Sequence, residues 1–181
     1  MPSPTLAPEK SITLILGGAR SGKSRLGEAL VTALPPPWTY IATAEPLDDE
    51  MRARIAAHRA SRLPGWRTVE ASLRLAEALA REALAGRPIL IDCLTLWLSN
   101  HLLAGHDIEA EIERLASAIA ATPVPLTIVS NEVGMGVVPE TLLGRAFRDH
   151  QGRLNAQVAA IATRVVFMAA GLPLVLKGPP L

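Results

Sequence analysis

A single cysteine, Cys93, is all the sulfhydryl chemistry this chain has, so no intrachain disulfide can form, which fits a reducing, cytoplasmic setting. Aromatic residues make up only 3% of the sequence while apolar residues reach 49%, much of it alanine and leucine, so the core is expected to be aliphatic and rich in helix packing. No apolar run is long enough to span a bilayer, which argues against stable membrane insertion. Charge of one sign is missing as well: 18 basic against 17 acidic residues leave +1, with no basic stripe interleaved with aromatics, so no nucleic-acid partner is expected. The 181 residues suit one domain with a substantial core. Residues 1–10 are proline-rich and lack the apolar segment of a signal peptide; they read as a loose tail before a single domain over 11–181.

Lysine is scarce too, with three in the chain, and one of them stands where it carries the most meaning. Gly17-Gly18-Ala19-Arg20-Ser21-Gly22-Lys23-Ser24 fits G-x-x-x-x-G-K-[ST], the phosphate-binding loop of P-loop nucleotide enzymes. The apolar run Ile12–Leu16 before it reads as a buried strand and Ser24–Val31 after it as a helix, the context this motif requires. Backbone N–H groups of such a loop, wrapped on a helix N-terminus, bind polyphosphate oxygens, and glycines allow close approach. Lys23 is expected to reach the β- and γ-phosphates and the Ser24 hydroxyl to bind Mg²⁺.

The remaining pattern alternates strands and helices. Strands are expected at 38–42, 89–91, 126–129, 165–169 and 174–177, and helices at 48–61, 73–84, 94–103, 108–121, 140–149 and 152–163. Such alternation predicts an α/β fold: a single-domain P-loop NTPase with a mostly parallel sheet and helices on both faces. Ligands of such sheets lie beyond the C-terminal strand ends. Three polar clusters fall there: 17–24, Asp92 and Asn131-Glu132.

Asp92 directly follows a buried strand, where P-loop enzymes place a magnesium-binding carboxylate; a helix N-cap is the alternative. His58 shares a helical face with Met51, Ile55 and Arg62, and its helix also carries Arg54 and Arg59. This leaves two roles open for it, an inward structural histidine or a nucleophile toward phosphorus beside a cationic phosphate site. The stretch from Ser130 to Glu140, with Gly134, Gly136 and Pro139, reads as an active-edge loop or a subunit contact. The apolar segment Leu94–Leu98 is either an interface or a core helix.

Assembled, these residues closely resemble the bifunctional adenosylcobinamide kinase/adenosylcobinamide-phosphate guanylyltransferase family of cobalamin biosynthesis, over Ile12 to about Lys177. The resemblance rests on the loop at 17–24, Tyr-Ile-Ala-Thr at 40–43, Asp-Asp-Glu-Met at 48–51, Arg54-Ile55 leading to His58, and Trp66-Arg67-Thr68 leading to Glu70. It continues through Asp92-Cys93-Leu94-Thr95 with Asn100, the stretch 131–140, and Phe147-Arg148-Asp149. The histidine helix and the 131–140 stretch are far more specific than the phosphate loop. Two departures stand out: Asn155-Ala156, with Gln157 one place on, replaces an Asn-Gln common in relatives, and Asp92 stands where Glu can occur.

The resemblance implies a RecA-like fold, a homotrimer and two reactions. The aminopropanol hydroxyl of adenosylcobinamide is phosphorylated by ATP or GTP, and GMP then passes from GTP to that phosphate, releasing pyrophosphate. His58 is implied as the nucleophile that carries GMP. GTP contacts are implied at the phosphate loop, at Thr43, Ala44 and Glu45, at Arg59, Ala60, Ser61 and Arg62, and at Glu70 and Asp92, with Mg²⁺ on Ser24 and Asp92. Two rival readings are a monofunctional small-molecule P-loop kinase, which needs no His58, and a nucleotide-switch module, whose hydrolytic-water residue would have to be Glu132.

Overall fold

A computed structural model of the chain describes residues 10–45, 49–60 and 62–181, leaving aside the side chains of residues 50, 51, 54, 55 and 58. The expected tail, apart from Lys10, therefore lies outside the described residues, as do Asp48 and Ser61.

Strand β1 (Ile12–Gly17) is buried along its whole length. It sits between β5 (Leu126–Val129) and β6 (Arg164–Ala169), parallel to both. Strands β2 (Trp38–Ala42), β3 (Trp66–Glu70) and β4 (Ile89–Asp92) extend the sheet to one side, and β7 (Leu172–Lys177) closes the other, in the order β3-β2-β4-β5-β1-β6-β7. Every pairing is parallel except β6 with β7. Strands covered on both faces need apolar side chains in both directions, which is why Ile-Thr-Leu-Ile-Leu and Ile-Leu-Ile read as continuous apolar runs rather than alternating ones.

Alternate residues of the central strands feed two cores. Leu14, Leu16, Ile91 and Ile128 pack with Leu79 of α3 (Leu75–Ala83), Trp97 of α4 (Leu94–Leu103), Leu115 of α5 (Ile108–Ala121) and Leu154 of α6 (Leu142–Ile161). On the opposite face Leu90 and Val129 pack with Val31, and Ile15 and Val166 pack with Leu26 and Leu30, all three helical residues belonging to α1 (Lys23–Thr32). Helices thus cover both faces, as expected. Helix α2 (Asp49–Ala60) joins β2 to β3.

Two expectations change, and one open alternative is decided. The two helices expected at 140–149 and 152–163 are one continuous α6, with Gly152 in its interior. A mid-helix glycine costs about 1 kcal/mol against alanine, and the burial of Leu154 and Val158 on the core side outweighs it. Strand β3 went unread because Trp66–Glu70 alternates weakly; its pairing with β2, in register from Trp38↔Trp66 to Ala42↔Glu70, creates it. Finally, Leu94, Trp97 and Leu98 are buried against the sheet, so the Leu94–Leu98 segment is a core helix and not an interface.

Candidate active site

The chain leaves β1 at Gly17 and re-enters helix at Lys23. Gly17 has φ 149°, and a Cβ there would lie 2.5 Å from the Met168 carbonyl oxygen, so only glycine lets the loop start this close to β6. Gly22, with φ 94°, holds the left-handed turn into α1 and offers no side-chain cap to that helix. The first turn of α1 also lacks acidic residues, so its free N–H groups have no competing anion. Lys23 is buried, and its Nζ donates to the Gly18 carbonyl at 2.6 Å, folding the ammonium back over the loop it belongs to.

Asp92 ends β4, two strands from β1, with β5 between them. Its carboxylate accepts the Tyr40 hydroxyl at 2.5 Å, and Ser24 Oγ lies 3.3 and 3.5 Å from its two oxygens. The N-cap role weighed for Asp92 is not what the side chain does; the cap position of α4 is Cys93, which makes no capping hydrogen bond. Burial pushes the Tyr40 hydroxyl well above its usual range and the neighbouring Asp92 charge adds to this, so Tyr40 stays protonated and remains a donor. The Arg62 guanidinium stacks over the Tyr40 ring, 3.3 Å from its centroid, donates to Thr68 Oγ1 at 3.0 Å and lies 3.8 Å from Glu28. The same two influences, burial first and Asp92 second, raise the Cys93 thiol, so the single cysteine is a neutral, buried group and not a thiolate nucleophile.

These groups open onto one cavity of about 980 Å³. The loop from Ala19 to Ser24 and Asp92 form one wall; Arg52, Ala56 and Arg59 of α2, together with Arg62 and Glu70, line it as well. Arg59 Nη2 pairs with Glu70 Oε1 at 3.0 Å. His58 sits in α2 between Ala56 and Arg59, both cavity-lining, and its own side chain lies outside the described part. Of the other expected residues, Ala44 lines the cavity and Glu45 follows it, half-buried. Thr43 is fully buried, its hydroxyl donating to the Cys93 carbonyl at 2.6 Å and accepting the Cys93 N–H at 2.8 Å. Ala60 is exposed at the end of α2, and Ser61 is outside the described residues.

Sequence reasoning placed Asn131 at the ligand edge, and it does line the cavity; it missed Tyr40 and Gly171, which line it as well. No local pattern marks them: Tyr40 reads as one apolar strand residue among five, and Gly171 belongs to the tight β6–β7 hairpin. The stretch 131–140 is indeed at the active edge. Glu132 N–H donates to the Gly17 carbonyl at 3.1 Å, and its carboxylate caps Gly134 N–H at 2.6 Å, so Glu132 is engaged in shaping the loop. Arg145 Nη1 holds the far end through the Pro139 and Glu140 carbonyls, at 3.0 and 2.7 Å.

The donor chemistry suits a hard divalent cation: one hydroxyl and one carboxylate facing each other at the phosphate loop, with oxygen ligands only. Among the described residues there is no group of three or more His, Cys, Asp or Glu that could hold a metal ion by itself. Also among the described residues, no helix is long and apolar enough to cross a membrane.

The family model described as cobinamide kinase / cobinamide phosphate guanyltransferase matches residues 13–176. The chain is 50% identical to the bifunctional adenosylcobalamin biosynthesis protein CobP of Pseudomonas aeruginosa, covering 93% of this chain and 98% of that one. It is 41% identical to the bifunctional adenosylcobalamin biosynthesis protein CobU of Escherichia coli, covering 91% and 98%. Among solved structures, the ATPase EscN of an enteropathogenic E. coli type III secretion system superposes with a TM-score of 0.54 at 13% identity, covering 88% of this chain and 43% of that one. That likeness shows the P-loop NTPase fold.

Proposed function

The chain belongs to the cobinamide kinase / cobinamide phosphate guanyltransferase family, and from that premise we propose how its cavity serves the family's two reactions. The enzyme is bifunctional: it phosphorylates adenosylcobinamide with a nucleoside triphosphate, then transfers GMP from GTP to the resulting phosphate, giving adenosylcobinamide-GDP and pyrophosphate. The observation that carries the mechanism is that the lining of one cavity joins the phosphate loop to the α2 arginines.

In the first reaction the loop N–H groups and Lys23 bind the triphosphate. The aminopropanol oxygen attacks the terminal phosphorus as the bond from that phosphorus to the bridging oxygen breaks, and the hydroxyl proton is released to solvent. In the second, an imidazole nitrogen of His58 attacks the α-phosphorus of GTP, and the bond to the bridging oxygen breaks, releasing pyrophosphate. A phosphate oxygen of adenosylcobinamide-phosphate then attacks the same phosphorus and frees the imidazole. Lys23 and the α2 arginines neutralise the leaving pyrophosphate. Glu70, when it exchanges Arg59 for ligand, accepts the guanine N1–H and 2-amino group. Ser24 and Asp92 would hold Mg²⁺, which supplies charge neutralisation to the phosphates when bound. Tyr40, donating to Asp92, keeps that carboxylate aimed at the loop. The reading places the reaction in the cytoplasm, where both nucleotides are available.

Two labels test it. With adenosylcobinamide and γ-labelled triphosphate, label is expected in the corrinoid; with α-labelled GTP added next, a second label is expected in the same molecule. A second label without need of the first phosphorylation would sink the order of steps.

The proposal extends to a homotrimer. What supports it is β7, an edge strand whose Leu172, Leu174 and Leu176 share one face and are all more than half exposed. An exposed apolar edge strand is a self-association site that a soluble monomer has reason to avoid. Leu174→Asp is expected to shift the mass measured by light scattering from three chains to one; an unchanged mass would move the interface elsewhere.

A further inference from the structure

Beyond Val129 the sheet loses a neighbour. Asp92, the register partner of Val129, is the last residue of β4, and the chain there turns into α4. Ser130 and Glu132 keep the β1 side, their N–H groups donating to the carbonyls of Ile15 and Gly17 at 3.0 and 3.1 Å. On the side that β4 has left, side chains replace the missing strand. Asn131 N–H donates to Thr95 Oγ1 at 2.8 Å, and the Asn131 carbonyl accepts Asn155 Nδ2 at 2.9 Å.

Asn155 is itself held from behind. Its Oδ1 accepts Ser130 Oγ at 2.7 Å and Gln151 Nε2 at 2.9 Å, and Gln151 also donates to Ser130 Oγ at 3.0 Å. Ser130 and Gln151 are 0% exposed and Asn155 5%. Gln151 Oε1 has no partner among the described residues. Buried amides are expensive to desolvate and leucines at these positions would satisfy the core, so stability alone does not account for this cluster. What the cluster does is fix both peptide groups of one residue, Asn131.

We propose that Asn131 is a substrate-contacting residue of the phosphoryl-transfer step, its side-chain amide donating to the terminal phosphate of the bound nucleotide, with Ser130, Gln151 and Asn155 as the residues that position it. The inference rests on the phosphate loop being the triphosphate site. Asn131 lines the cavity, one residue before the Glu132 N–H that binds Gly17, and therefore lies between the start of the loop and Asp92. Its Nδ2 has a weak acceptor nearby, Cys93 Sγ at 3.9 Å, which leaves N–H capacity for a ligand. A neutral amide donates to a phosphate oxygen without forming an ion pair with Asp92, as a lysine in its place would.

The test uses the full chain. Wild type, Asn131→Ala, Asn131→Asp, Ser130→Ala and Gln151→Met are titrated with a non-hydrolysable GTP analogue and with GDP, both with magnesium. Phosphoryl transfer to adenosylcobinamide is then measured. One hydrogen bond to a charged group corresponds to roughly 10- to 100-fold. Asn131→Ala is expected to weaken the triphosphate analogue and lower kcat by that factor, with GDP affinity and the KM for adenosylcobinamide unchanged. Asn131→Asp loses more, because a carboxylate repels the phosphate. Ser130→Ala, which removes one hydroxyl, and Gln151→Met reproduce a weaker version of the pattern. Combined with Asn131→Ala, either is no worse than Asn131→Ala alone, whereas a merely structural role would add. If Gln151→Met does not fold, the Ser130→Ala cycle decides the same point. Equal losses for GTP analogue and GDP, an unchanged kcat in Asn131→Ala, or additive double variants would overturn the proposal. Failure of wild type to bind any triphosphate would instead bring down the function reading, and this inference with it.

Discussion

His58→Ala protein, incubated with α-labelled GTP and magnesium and then denatured, is expected to carry no label, while wild type carries a phosphoramidate that is lost in acid and kept in base. The effect is large because the substitution removes the nucleophile itself: a P–N bond cannot form on alanine, and water at the same place lacks the orientation of a fixed imidazole. Guanylyl transfer should fall by at least about 10⁴-fold, equivalent to roughly 5.5 kcal/mol of transition-state stabilisation. The kinase half should survive, since His58 lies in α2 and phosphoryl transfer is assigned to the loop at 17–24. This asymmetry is what makes the experiment informative. Equal loss of both activities would mean that the alanine disturbs α2 as a whole and that the cavity wall, rather than a nucleophile, has been removed. Labelling at the wild-type level would assign the covalent step to another residue. Cys93 is a poor candidate for it, because its thiol is buried and held in the neutral form.

Lys23→Ala should lower both activities. The Lys23 ammonium is buried and donates to the Gly18 carbonyl, so it is already desolvated and stationed over the loop. A preorganised cation in a water-poor site acts on developing phosphate charge with little reorganisation, and removing one such donor costs about 10²- to 10³-fold in kcat. Phosphorylation of adenosylcobinamide is expected to fall by that factor, measured with γ-labelled triphosphate. If the same loop holds the β- and γ-phosphates of GTP as the leaving group, histidine guanylylation falls too. A kinase that keeps its rate in Lys23→Ala would show that the phosphate loop is not the kinase site. A guanylylation rate unchanged in the same protein would mean that the two reactions use separate nucleotide positions. The variant also leaves the Gly18 carbonyl without its donor, so its melting temperature should be followed alongside the rates.

The phosphate loop was legible in the sequence because its chemistry is local. Gly17, Gly22, Lys23 and Ser24 work through the backbone geometry and N–H groups of one continuous turn, and the strand before it and helix after it carry their own periodicities. Strand-helix alternation likewise implied a mostly parallel sheet with its ligand edge at Asp92 and Asn131, and the family followed from the assembled motifs. Partners far apart in the chain left no such trace. Tyr40 and Asp92 are 52 positions apart and Ser24 and Asp92 68, and only the strand order with β5 between β1 and β4 brings them together. Glu70 meets Arg59 because β3 pairs with β2, a strand that weak alternation hid until the pairing made it. The apolar segment at 94–98 reads the same whether it faces a partner or the molecule's own sheet, and packing decided for the sheet. Asn131 gains its anchor from α6, a helix expected to be broken at 150–151 but continuous through the buried Gln151 and Asn155. The sequence by itself thus determined the phosphate-binding chemistry and the fold class, both of which depend on neighbours along the chain. Tertiary structure alone decided which side chains meet across the cavity, because that depends on strand order and helix docking, which no short window of residues encodes.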